Sequence, residues 1–165
     1  MKRIIFSFFF LLFTLLFTNC KNSEKNNSKG KENSSEVPFS VLSEGNNGGF
    51  EQDTLLLIRS SEEMQAGWKK LFSNFVEQPD MPSVHFANQM VVILSMGEKN
   101  NGGYSIEVSK VVEKELQLAV FANYISPGQN CIVAEVISYP FVVISIPKKD
   151  KLVAISKNNV IAECK

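Results

Sequence analysis

The sequence predicts a mainly β protein of the α+β class, a compact antiparallel sandwich or partial barrel with one N-terminal amphipathic helix. Three observations carry that prediction. From Met90 onward, apolar residues recur with a period of two or in short continuous runs. Only one stretch, Met64, Trp68, Leu71, Phe72 and Phe75, repeats at helical spacing. Turn formers such as Pro127-Gly128 and Asn158-Asn159 separate the runs.

The chain of 165 residues opens Met1-Lys2-Arg3, then runs apolar from Ile4 to Phe17 with only Ser7 and Thr14 polar. A basic start followed by a short apolar core describes an export signal. It is short for a membrane span, which takes about 20 apolar residues. Leu16-Phe17-Thr18-Asn19-Cys20 resembles a bacterial lipobox, in which cleavage before the cysteine frees its thiol for diacylglycerol. Phe17 stands where such sites prefer Leu. The polar stretch that begins at Cys20 favours a lipid anchor, with palmitate among its acyl chains, over an ordinary secretory signal. Residues 1–19 are therefore read as a lipoprotein signal peptide and Cys20 as the lipidation site. The expected location is the cell envelope, at the outer membrane.

Lys21 to Glu36 contains no apolar side chain, and Val37 to Gly49 is rich in turn formers. A segment that cannot bury apolar surface cannot offset the entropy of ordering its backbone. Residues 20–48 are read as a disordered tether and residues 49–165 as a single β-rich domain. Lys2 and Arg3 leave with the signal, so the 17 basic residues fall to 15 against 17 acidic ones, a net charge of about −2. A nucleic-acid partner would call for a basic stripe, and none is expected.

Within the domain, Thr54 to Ile58 reads as a buried strand. Ser60 with Glu63 has the form of a capping box opening a helix of about four turns. Gly67 inside that helix should cost about 1 kcal/mol against alanine. Trp68, on the apolar stripe, is assigned to the core. Met90 to Leu94 is apolar on both faces, as in a central strand. Tyr104, Ile106 and Val108 alternate with polar residues, as do Leu116, Leu118 and Val120. Ser126-Pro127-Gly128-Gln129 suits a type II turn. Val133 to Ser138 and Phe141 to Ile146 are read as strands, with Pro140 at a strand start. Lys151 to Ser156 and Val160 to Ala162, joined through Asn158-Asn159, read as a closing hairpin.

Three cysteines occur, Cys20, Cys131 and Cys164. With Cys20 assigned to lipid, an even pair remains in a disulfide-permissive compartment, and a Cys131–Cys164 bridge is expected against the alternative of two unrelated thiols. Chemistry is otherwise sparse. His85 is the only histidine, and no nucleophile elbow, zinc-protease or phosphate-loop pattern accompanies it. No metal site, no cofactor and no catalytic residue are assigned, and the protein is read as not an enzyme.

The order of Gly97-Glu98, Gly102-Gly103-Tyr104, Pro127-Gly128 and Tyr139-Pro140 along the alternating strands resembles the PrcB family C-terminal domain over about residues 86–149. The resemblance implies a non-catalytic accessory subunit of a protease complex. The expected partner is a secreted protease or another envelope protein, with the membrane reached through the lipid anchor. A protease inhibitor and a structural envelope lipoprotein are the alternatives. Asn100, Asn101, Gly102, Gly103 and Tyr104 form the candidate partner loop. Asn101-Gly102 suits a type I′ hairpin turn, so the segment is either a turn that closes the sheet or a loop offered to a partner.

Overall fold

The computed structural model describes residues 34–164. The expected signal peptide, Cys20 and the tether up to residue 33 lie outside the described residues. Eight strands and one helix follow in the order β1 (Ser35–Val37), β2 (Ser40–Gly45), β3 (Asp53–Ile58), α1 (Ser61–Leu71), β4 (Gln89–Met96), β5 (Ser105–Glu113), β6 (Gln117–Pro127), β7 (Phe141–Pro147) and β8 (Leu152–Ala162). One sheet has the order β1-β5-β6-β8 and the other β2-β7-β4-β3. Every pairing is antiparallel except β6 with β8, which is parallel. The architecture is an open sandwich of two sheets, with neither sheet closed into a barrel.

Alternation along the strands explains the layering. Met90, Val92 and Leu94 of β4 and Val142, Ile144 and Ile146 of β7 point inward between the sheets. They meet Ile106, Val108 and Val111 of β5 and Leu118, Val120 and Tyr124 of β6. The odd-numbered Val91, Ile93, Phe141 and Val143 point the other way and are covered by Met64, Trp68, Leu71 and Phe72 of the helix. The two central strands are apolar on both faces because the sheet they occupy is buried on both faces. In β5 the period breaks at Ser109, where the register slips between Val108 and Lys110. This bulge lets Val111 face inward after Val108.

The helix lies across the outer face of the second sheet. It has eleven residues, about three turns, and Phe72 caps it, so Phe75 falls beyond the regular helix. Glu63 N–H donates to Ser60 Oγ (3.2 Å), while the Glu63 carboxylate accepts from Arg59 N–H (2.6 Å), one residue earlier than in the standard box. Trp68 is buried, and its indole N–H donates to the Pro79 carbonyl at 2.9 Å. Gly67 owes its place to close approach: a Cβ there would stand 2.8 Å from Ile58 Cδ1 on β3. Alanine would force that terminal methyl to shift, which works against the gain in helix propensity.

Four further expectations are corrected. The tether does not extend to residue 48, because residues 35–37 pair with β5 and residues 40–45 pair with β7. Val37 is buried and Phe39 and Leu42 are partly buried, which supplies the apolar surface that the polar run before them lacks. The chain from Lys151 to Ala162 is not a hairpin but one strand of eleven residues, with Asn158 Nδ2 donating to Asn123 Oδ1 at 2.9 Å. Val133 to Ser138 is a loop held by isolated bridges at Ser138 and Tyr139. Gly128 has no positive φ, so the turn after Pro127 is not type II.

Candidate protein-binding site

The Gly102-Gly103 segment does not close a hairpin. β4 lies in the second sheet and β5 in the first, so residues 97–104 cross from one sheet to the other. Among the described residues only Gly97 (φ 69°) and Gly103 (φ 86°) have positive φ. A type I′ turn would require it at both central residues, Asn101 and Gly102, and neither has it.

What shapes the crossover is the loop between β6 and β7. Lys99 and Ser138 exchange backbone hydrogen bonds of 2.8 and 2.9 Å, and Gly102 N–H donates to the Ala134 carbonyl at 2.9 Å. The Ser138 hydroxyl donates to the Asn101 carbonyl at 2.7 Å. The β2–β3 loop joins on the other side, where Gly48 N–H donates to the Tyr139 carbonyl at 2.9 Å. Tyr139 OH donates to the Glu98 carboxylate at 2.8 Å, and this bond holds the phenol above the usual tyrosine range. Cys131 and Cys164 are joined by a disulfide with 5.1 Å between Cα atoms, which pins the β6–β7 loop to the end of β8. Three loops are thus laced into one end of the sandwich.

The five residues of the candidate loop divide in this setting. Asn100 and Gly103 are exposed, Gly102 is buried, and Asn101 and Tyr104 are half-buried. Tyr104 packs against the core between the sheets, and Lys99 Nζ sits 5.9 Å from its ring centroid. A Cβ on Gly103 would stand 2.8 Å from Val133 Cγ1 and 3.1 Å from Pro127 Cβ. Most of the segment therefore supports the neighbouring loop, and little of it is free to meet a partner.

The side chains that do face outward come from that neighbouring loop. Ile132, Val136 and Ile137 are exposed, and with Phe75 they border a shallow groove of about 570 Å³ whose floor includes Gly102 and Gly103. Large apolar side chains gathered on one loop are a mark of an interaction surface. Reading Val133–Ser138 as a strand hid them, since a strand would have turned alternate residues inward. The spacing of Val133, Val136 and Ile137 does not follow a period of two, and that was the available signal.

His85 lies elsewhere. It is exposed and lines a separate hollow of about 490 Å³ with Phe39, Ser40, Asn88 and Ser145. Its backbone N–H donates to Gln89 Oε1 at 3.1 Å.

No curated protein and no solved structure matches the chain. A family model does match, and it spans β4 through β7 while leaving β1 to β3, α1 and β8 outside. Both crossing loops of the site, from Gly97 to Tyr104 and from Gly128 to Pro140, fall inside it. Over residues 90–147 the chain matches the family model of the PrcB C-terminal domain.

Proposed function

We propose that the protein is a non-catalytic accessory module of an envelope protease complex, anchored by lipid at Cys20, and that it holds a secreted protease through the exposed β6–β7 loop. The family match supports the link to a protease complex. The observation that carries the binding site is the trio Ile132, Val136 and Ile137, exposed on a loop that a disulfide and the Gly102–Ala134 hydrogen bond keep in shape. A preshaped apolar loop loses little conformational entropy on binding, which favours affinity.

Affinity capture from envelope extracts with the mature protein tests the proposal. The expected outcome is an active protease in the bound fraction, lost when Ile132→Asp and Ile137→Asp are combined in a folded protein. A bound protease without activity would make the protein an inhibitor, and a bound fraction lacking protease would refute both roles. Cys20→Ser should move the protein from the detergent phase to the aqueous phase; equal partitioning of the two would refute the anchor.

A further inference from the structure

The two sheets each end in a strand with one open side, and those two strands face one another. Among the described residues β3 pairs only with β4, and β8 only with β6. The outer N–H and C=O groups of Leu55 to Leu57 and of Val153 to Ile161 have no backbone partner among the described residues. Side chains bridge the gap at two points. Lys157 Nζ on β8 bonds the Asp53 carboxylate on β3, and Arg59 Nη2, just past β3, donates to the Lys151 carbonyl at 3.1 Å. Asp53 opposite Lys157 and Arg59 opposite Lys151 is an antiparallel alignment, with five positions of each strand between the two bridges. Within that span Leu55 and Leu57 on one lip and Val153 and Ile155 on the other pack against the inner core and stay partly exposed.

The dimensions select an occupant. Packed sheets lie about 10 Å apart and paired strands about 4.8 Å, so two open edges facing across a sandwich leave room for one strand. Long unpaired edges are normally blunted by prolines, bulges or charged side chains, or are covered. β8 has eleven residues with no proline or bulge, its one charged side chain is Lys157, and its register with β6 runs unbroken from Leu152 to Ala162. Beneath the Lys157–Asp53 bridge lies Tyr124, only 4 % exposed, with Lys157 Nζ 4.8 Å from its ring centroid and its hydroxyl without a hydrogen-bond partner among the described residues. At the other mouth the Arg59 guanidinium, besides its bond to the Lys151 carbonyl, has a 3.7 Å contact with Asp150, whose side chain is fully exposed. That leaves the cation able to take a carboxylate.

We propose that the β3–β8 seam is an acceptor slot for one extended strand of a partner polypeptide. The strand carries apolar residues at alternate positions facing the core, a hydroxyl residue over Tyr124 and a C-terminal carboxylate at Arg59. Antiparallel pairing with β8, the longer edge, sets its direction and brings its C-terminus to the Arg59 mouth. The strand then runs parallel to β3. The two side-chain bridges act as latches that open as it enters. This slot lies along the side of the sandwich and does not depend on the loop site.

The probe is the acetylated peptide Thr-Lys-Val-Glu-Val-Lys-Val with a free carboxylate, added to the full chain in detergent. Its Thr and Val residues face the core, and its charged residues face solvent. Saturable binding is expected, with amide exchange slowed in β3 and β8 together. N-methylation of either alternate set of peptide amides should weaken binding at least about tenfold, because each set faces a different edge. The C-terminal amide should bind several-fold more weakly. Lys157→Met opens one latch and should raise affinity by up to about fivefold, the range of a partly exposed ion pair. Absence of saturable binding to both wild type and Lys157→Met overturns the proposal. So does protection confined to one strand, tolerance of one methylated set, or equal affinity of the amide.

Discussion

Alanine at position 103 would probe the crossover loop directly. Gly103 has φ 86°, and holding an L-residue in the left-handed region costs about 1–2 kcal/mol. The lower entropy of the unfolded alanine chain returns about 0.4–1 kcal/mol. The new Cβ would stand 2.8 Å from Val133 Cγ1 and 3.1 Å from Pro127 Cβ, inside the distance at which carbons attract. Overpacking of this kind costs about 1–3 kcal/mol, toward the lower end here because Val133 sits on a loop and can shift. The sum is a loss of about 2 kcal/mol, or about 6–8 °C in melting temperature for a domain of this size. Urea melts of the oxidised protein measure it. A second variant separates the causes. With Val133→Ala the Cγ1 contact is gone, so Gly103→Ala should cost about 1 kcal/mol less there than in the parent. A neutral Gly103→Ala, or strict additivity of the two changes, would refute the loop geometry.

Other outcomes follow from the packing and the charges. Opening the Cys131–Cys164 bridge, 33 residues apart in sequence, should cost about 3–4 kcal/mol by loop entropy, read from urea melts with and without reductant; unchanged stability and free alkylation of both thiols without reductant would remove the bond. Gly67→Ala should destabilise despite alanine's helix propensity and be partly rescued by Ile58→Val, which removes the Cδ1 atom it meets. Hydrogen bonds from Lys151 and Lys149 hold the Glu113 carboxyl below the usual range. Its folded pKa is depressed, so its contribution to stability is present above the unfolded carboxylate pKa and lost as pH falls through the folded value. In Lys151→Met the Glu113 titration followed by NMR should move up; an unmoved midpoint would contradict the assignment.

The sequence was legible where one residue pattern had one structural meaning. Met90 to Leu94 and Phe141 to Ile146 are apolar on both faces because the second sheet is buried on both, and the capping signal at Ser60 placed the helix start. The leftover cysteine pair marked the bridge seen between Cys131 and Cys164. Legibility failed where the decisive contact is remote. Asn101-Gly102 has the local chemistry of a hairpin turn, yet Ala134 and Ser138, more than 30 residues on, decide its backbone. Asn158-Asn159 looks like a turn and is straightened by parallel pairing with β6, a ladder that no local pattern announces. Residues 35–45 look like spacer and become strands because β5 and β7 offer edges. Ile132, Val136 and Ile137 were hidden by a strand assignment that their spacing did not fit.

The parallel placement of β8 has a kinetic side. β6 and β8 lie side by side, with β7 between them in sequence but in the other sheet. A chain emerging from its N-terminus therefore presents the β5–β6 hairpin early and leaves one side of β6 bare until β7 has crossed over. Loop closure of this kind slows folding, because entropy is lost before the contacts that offset it form. Through that interval Cys131 waits as a free thiol, since Cys164 follows β8. Bond formation then reports that the last strand has docked. Reduced and oxidised populations during refolding should track β8 docking, and a chaperone or an oxidase would act in that window.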